Sequence, residues 1–255
     1  MSGDGASGAA GGRMTRRIAL MRAKDDSEAT AAELAARGCE GVIAPAIEIR
    51  ALPAALPQGP FDALVATSPR AIRALGPGER AGLAAIPLYV AGARAARAAR
   101  DTGLALAGDP AADAAALAER LARKLPRGAR LLYLAGRDRK PTLEATLAAA
   151  GLVVQAVELY AAEARQAWSA HEAQAVAHCD SALHYSRRTA AHALALAARA
   201  GLAERFRALL HVCLSADVAE PLVADGAARI VSADAPDEAH LLAALERALE
   251  PAPKG

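Results

Sequence analysis

From Arg17 onward short apolar runs alternate with longer amphipathic stretches. IALM (18–21), GVIAPAIEI (41–49) and ALVAT (63–67) read as strands, while the segment after Ser27 and the one after ALVAT read as helices. Alternation of this kind indicates β/α units whose strands run largely parallel.

The pattern then repeats. IALMRAKDDSEATAAELAARG lies over LLYLAGRDRKPTLEATLAAAG, so that Leu34 falls on Leu147 and Gly38 on Gly151. Each copy reads strand, polar turn, helix and glycine stop. Further on, DALVATS (62–68) matches DSALHYS (180–186), each with an aspartate six residues before a serine at the end of an apolar strand. YVAGARAA (89–96) then aligns with HVCLSADVA (211–219), helices end near Gly103 and Gly226, and ALAERL (116–121) or LLAALERAL (241–249) closes each copy. The chain is therefore a duplicated α/β unit of Rossmann or flavodoxin type, with two similar domains of parallel sheet flanked by helices. Two such lobes leave a cleft lined by the turns at the carboxyl ends of the strands, the expected place for a ligand.

Composition narrows the function classes. Hydrophobic residues make up 54% of the 255 residues but aromatics only 3%, which predicts many alanine-rich helices and cores of Leu, Val and Ile. The formal net charge of +2 gives no strongly basic surface for nucleic acid, even though arginine supplies almost all of the positive charge. Cys39, Cys179 and Cys213 are odd in number and widely spaced, which suits a reducing cytoplasm and neither a disulfide framework nor a zinc ribbon. Residues 1–16 read as a disordered Gly/Ala/Ser-rich tail, not as a signal peptide or membrane anchor, and 251–255 as a second tail.

The element order resembles the uroporphyrinogen-III synthase family from roughly Arg17 to Leu249. The opening strand with Arg22, the helix TAAELAARG and the strand with Pro45 look like that family's N-terminal segment. ATSPRAI (66–72), with HYSRRTA (184–190) as its second copy, looks like the family's strand-Ser-helix motif. GLVVQAVELY, ending in Tyr160, looks like the glycine, strand and tyrosine that cross back between the family's domains. The resemblance implies a discontinuous domain of 17–45 plus 162–250, a second domain of 53–154, and linker strands 46–52 and 155–161 paired as a two-stranded ladder. Sequential repeats alone suggest two consecutive domains instead. Departures occur at GARAA and SADVA, where Ala95 and Val218 stand at the family's usual threonine and Ser215 at its glycine.

The implied substrate is hydroxymethylbilane, a linear tetrapyrrole with eight carboxylates, closed with inversion of its last ring by a cytoplasmic monomer that uses no metal or organic cofactor and binds neither nucleic acid nor membrane. Carboxylates call for helix N-termini and for arginines that clamp both oxygens. The candidates are Ser68 and Arg70, then Ser186, Arg187 and Arg188, with Arg22, Gly92, Arg94, Arg137, Arg139 and Ser215 at other strand ends. The same serines serve equally as helix caps, and the same arginines as solvated surface groups. Tyr160 is the one side chain assigned to chemistry, as donor to the leaving hydroxyl, and its alternative is packing at the domain junction.

Other readings fare worse. GPGERAG (76–82) has the wrong spacing for a dinucleotide loop, HEAQAVAH (171–178) lacks the paired histidines of a zinc helix, and no serine sits in a G-x-S-x-G elbow. The remaining alternative is a two-lobed small-molecule or tetrapyrrole-binding protein without catalysis.

Overall fold

The structure is a computed structural model that describes residues 15–250; the expected tail at 251–255 and all but the last two residues of the one at 1–16 lie outside it. In chain order the first half contains β1 (Arg16–Leu20), α1 (Lys24–Ala36), β2 (Cys39–Ile43), β3 (Ile47–Ala51), β4 (Ala63–Ala66), α2 (Pro69–Ala74), α3 (Pro77–Leu83), β5 (Leu88–Val90), α4 (Ala93–Asp101) and α5 (Ala114–Lys124). The second contains β6 (Arg130–Gly136), α6 (Thr142–Ala149), β7 (Val153–Ala164), α7 (Ala170–Ala177), β8 (Ser181–His184), α8 (Arg187–Arg199), α9 (Ala203–Arg207), β9 (Leu210–Cys213), α10 (Ala216–Ala224), β10 (Ile230–Ser232) and α11 (Glu238–Leu249). Arg16, assigned above to the tail, is the first residue of β1.

The chain divides into two compact units, one running through Glu48 and resuming at Ala164, the other spanning Ile49–Glu163. The first holds a sheet of order β10-β9-β8-β1-β2, the second a sheet of order β3-β7-β6-β4-β5. Both crossings between units run through neighbouring strands, since the divisions fall inside β3 and β7. The 155–161 stretch is more than a linker: β7 pairs with β6 from Val153 to Tyr160, and Val157 and Leu159 are buried in the second unit's core.

Each sheet is covered on both faces, which is why its strands read as unbroken apolar runs rather than alternating ones. In β1, Ile18 and Leu20 enter one core while Ala19, with Met21 just after the strand, enters the other. In β4, Leu64 and Ala66 face one layer and Ala63 and Val65 the opposite one.

The duplication is exchanged between the units. β1 belongs to the first copy and β8 to the second, yet they pair in parallel with Ile18 opposite Ser181; in the other sheet β6 and β4 pair with Leu131 opposite Ala63. Under the repeat these two registers are the same. The paired aspartates explain why. The Arg17 amide donates to the Asp180 carboxylate at 2.9 Å while the Asp180 amide donates to the Arg17 carbonyl at 2.8 Å. Asp62 makes the same two bonds with Arg130, both at 2.8 Å. Each aspartate thus clamps its strand to the neighbour, and a slip by one residue, which would turn every side chain to the wrong layer, forfeits both bonds. The third strand of each set refines the alignment: Leu88 sits opposite Leu64 and His211 opposite Ala182, one position away from the pairing of Tyr89 with His211 read from the sequence.

Helix α1 starts a turn earlier than expected. Ser27 is buried within it and its hydroxyl donates to the Arg22 carbonyl, while Asp25 and Asp26 occupy the first turn, where the helix dipole favours negative charge.

Candidate functional site

In the second unit the parallel strands β4, β5 and β6 end side by side, and each delivers candidates named above. After β4, Ser68 caps α2, its hydroxyl accepting the Arg70 amide at 3.2 Å, with Pro69 supplying a preset first-turn φ. After β5, Gly92 caps α4 with φ of +79°; no atom lies within 4 Å of where a Cβ would stand, so glycine is required by backbone conformation and not by crowding. Arg94 is exposed on the first turn of α4, whereas Ala95 points inward and is buried in the core.

After β6 the chain forms a charged turn stitched to β7. The Arg137 amide donates to the Tyr160 carbonyl at 2.8 Å and its guanidinium to Glu158 at 3.2 Å. Arg139 reaches three acceptors at once: the Gly136 carbonyl at 3.0 Å, Glu158 at 3.0 Å and Glu144 at 3.1 Å. These bonds, Arg139 first and Arg137 second, hold the Glu158 carboxyl below its ordinary range. The β6–β7 register slips here, with Ala135 opposite Glu158 but Gly136 opposite Tyr160. The slip is a bulge that re-aims the tyrosine. The phenol lies over Gly136 so closely that a Cβ there would stand 2.5 Å from Tyr160 Cζ. Tyr160 is half-buried, packs against the unit's core, and its hydroxyl has no hydrogen-bond partner among the described residues.

In the first unit β1, β8 and β9 likewise end side by side. Ser186 caps α8, accepting the Thr189 amide at 3.2 Å and contacting the Thr189 hydroxyl at 2.5 Å. Ser215 stands at the N-terminus of α10 but its side chain makes no capping bond, so there the amides are left to other partners. Val218, like Ala95 in the other unit, is buried in the core, which gives the missing threonine hydroxyls a packing reason. Arg187 is 60% exposed and meets Asp217 at 3.4 Å and Glu220 at 2.8 Å; Arg188 is exposed beside it.

Arg22 is placed differently from the other candidates. Only 19% exposed, it lies 3.9 Å from the Tyr185 ring centroid and donates to Glu238 at 3.2 Å and to the buried Thr30 hydroxyl at 3.3 Å. Tyr185 and Thr30 also donate to Glu238, at 2.8 and 2.7 Å. Burial, with support from the Glu238 charge, pushes the Tyr185 phenol above its ordinary value, so it remains a donor at neutral pH.

Two features had no forewarning in the sequence. One is the Arg22, Thr30, Tyr185 and Glu238 network, drawn from four separate segments. The other is a buried histidine pair just behind Tyr185. His211 Nε2 faces the Phe206 carbonyl at 2.9 Å, so that nitrogen carries hydrogen; His211 Nδ1 is then the acceptor for His184 Nε2–H at 3.0 Å. His184 Nδ1 is left as a buried acceptor without a donor among the described residues. Burial drives His184 well below its ordinary value and lowers His211 to about 4. Among the described residues no three His, Cys, Asp or Glu side chains converge as metal ligands, and no helix is long and apolar enough to cross a membrane.

What these strand ends can do chemically is hold anions. The starts of α4 and α8 offer N-terminal amides beside arginines, and in the second unit Tyr160 adds a phenol whose hydroxyl makes no hydrogen bond among the described residues.

The family model described as uroporphyrinogen-III synthase HemD matches residues 28–243. No protein of curated function matches the chain in sequence. Among solved structures, uroporphyrinogen-III synthetase from Helicobacter pylori 26695 is 17% identical and superposes with a TM-score of 0.62 over 92% of this chain and 100% of that one. At that identity the likeness shows the shared two-domain α/β fold. A mutant uroporphyrinogen III synthase from the extremely thermophilic bacterium Thermus thermophilus is 18% identical, with a TM-score of 0.48 over 92% of this chain and 99% of that one.

Proposed function

Because the chain belongs to the uroporphyrinogen-III synthase family, we infer that it is the lyase that closes hydroxymethylbilane, with loss of water and inversion of the last pyrrole, to uroporphyrinogen III. The observation that carries this reading is the family match across residues 28–243.

The task such an enzyme faces is conformational. The bilane closes by itself to the uninverted isomer, so catalysis must hold its two ends in the geometry that favours attack through the substituted carbon of the last ring. Positioning of this kind is worth roughly 7–11 kcal/mol when alignment is good, more than one acid or base normally supplies. In our assignment the amides at the starts of α4, α8 and α10, with Ser68, Arg70, Arg94, Ser186, Arg187, Arg188 and Ser215 around them, receive the substrate's carboxylates. Arg137, exposed after β6 in the second unit, is assigned the same task. Arg22 acts less directly, by holding Tyr185 and Glu238 in place.

We assign the proton to Tyr160. Its phenol protonates the departing hydroxyl, which leaves as water and generates an azafulvenium cation beside the phenolate. The substituted carbon of the last ring attacks to give a spiro intermediate, which fragments and recloses through its other position. The proton lost when the pyrrole regains aromaticity returns to the phenolate, so the enzyme ends as it began. We further take the protein to act as a cytoplasmic monomer without metal or organic cofactor.

The test is to generate hydroxymethylbilane in situ with a deaminase, add the purified chain, oxidise the products and separate the type I and type III porphyrins by chromatography. Dominant type III is expected. Type I alone, formed by folded protein, would overturn the reading in favour of tetrapyrrole binding without turnover.

A further inference from the structure

The charged turn after β6 was expected to meet substrate, yet the geometry gives part of it another task. Three observations converge on Tyr160 from within the second unit. The absence of a Cβ at Gly136 is what allows the phenol to lie where it does, since Cζ, the hydroxyl oxygen and Cε2 would fall 2.5, 2.8 and 2.9 Å from that atom. Real Cβ contacts do not come so close, so any side chain at 136 must drive the ring away. The tyrosine's backbone is held by the Arg137 amide at 2.8 Å, and two residues further the Ala162 amide donates to Asp138 at 3.3 Å.

Arg139 then locks the arrangement from the opposite side. Its guanidinium bonds the Gly136 carbonyl, Glu158 two residues before the tyrosine, and Glu144 on α6. At 23% exposure, with three acceptors engaged, its fork is committed inward rather than offered to a ligand. The bulge that skips Leu159 is therefore flanked by Gly136 on one strand and Glu158 on the other, and Arg139 binds both.

We propose that Gly136 and Arg139 are positioning residues for the Tyr160 phenol, and that Arg139 acts through Tyr160 and not as a clamp for a substrate carboxylate. The proposal rests on the reading of Tyr160 as proton donor. A guanidinium suits the task because it joins three acceptors in one plane, whereas lysine presents a single point charge.

The consequences differ from those of a binding residue. A ring displaced by about 1 Å loses its alignment with the leaving hydroxyl, a loss on the order of 10²-fold in rate, while substrate held elsewhere keeps its affinity. Removing the phenol outright should cost about 10²-fold or more, as for a general acid. Once the phenol is gone, its supports have nothing left to position.

The experiment is a double-mutant cycle on the full chain, reading kcat and KM for type III formation with Tyr160→Phe, Arg139→Gln, Gly136→Ala and the two double variants. Expected are a kcat lowered roughly 10- to 100-fold by Arg139→Gln and by Gly136→Ala with KM within about twofold, and less than about threefold further loss when either is added to Tyr160→Phe. Thermal unfolding of each variant separates misfolding from mispositioning. If Gly136→Ala is too unstable to assay, Arg139→Gln carries the test, since its side chain lies at the rim of the fold. A raised KM at unchanged kcat would make Arg139 a carboxylate clamp and overturn the proposal, as would losses that multiply in full with Tyr160→Phe. An unaltered kcat in Tyr160→Phe itself would remove Tyr160 and its supports together while leaving the synthase reading intact; absence of type III product from the parent protein would strike the synthase reading instead.

Discussion

Mild acid should loosen the first unit, through the buried pair His184 and His211. The perturbation is a fall in pH from 7.5 to 5, compared between the parent protein and His211→Gln, whose amide can serve both Phe206 and His184 but cannot titrate. Burial lowers His211 from 6.5 to about 4 in the folded protein. A group whose folded value is depressed contributes stability that is fully present above its unfolded value and is lost as the pH falls toward the folded one. At pH 5 the unfolded ring is almost wholly protonated and the folded ring almost wholly neutral, a difference of about 2 kcal/mol. His184, depressed by the same burial and by its neighbour, acts in the same direction and does so in both proteins. The parent should therefore lose about 2 kcal/mol more than the variant over this range, against a total stability of roughly 5–15 kcal/mol. Stopping at pH 5 keeps the readout clear of Glu172, which Arg165 pulls down to about 2 and which yields its stability only at lower pH. Urea denaturation followed by circular dichroism at each pH gives the numbers. A parent whose stability is flat from pH 7.5 to 5, or a variant that falls as steeply as the parent, would refute the reasoning.

Other outcomes follow from the same structure. In urea denaturation Asp180→Ala should cost about 1–2 kcal/mol, because it leaves a part-buried strand amide unsatisfied, and Asp62→Ala about 0.5–1 kcal/mol, because its bond to the equivalent amide is exposed and water can replace it. Ser186→Ala should cost about 1 kcal/mol by thermal unfolding as a lost cap, whereas Ser215→Ala, whose hydroxyl caps nothing, should cost under about 0.5 kcal/mol; if Ser215→Ala nevertheless raises KM for the bilane, that hydroxyl contacts substrate.

Much of the architecture is legible in the chain because the two copies share local signals. Leu34 and Leu147, Gly38 and Gly151, and Asp62 and Asp180 mark equivalent places, and each performs the same work in its own sheet. Which strands associate is another matter. β1 could pair with β4 or with β8 by local pattern alone, since both present an aspartate at the same register. The choice is made by the connections through β3 and β7, which periodicity does not register. Ser27 misled because it looks like a helix cap, yet two aspartates before it start the helix earlier. The positions of Ser68, Gly92, Ser186 and Ser215 at strand ends were readable from strand, turn and helix order. The partners of Arg22 and Arg139 were not, because Glu238 and Glu158 reach them across the fold. Nothing in the sequence marks Gly136, since only the bulge opposite it reveals why no larger residue fits.

The exchange of strands between the two copies also imposes an order on synthesis. β1 leaves the ribosome long before its partner β8, with Ile18 waiting for Ser181. At about 5–20 residues per second that wait lasts on the order of ten seconds. The whole of Ile49–Glu163 emerges in the interval and is contiguous, so it can complete its sheet while the apolar edge of β1 stands open. Nascent chains from which Glu163 has emerged but Ser181 has not would therefore carry one finished unit and a β1–β2 pair still open along one edge, the stage at which a chaperone has most to protect.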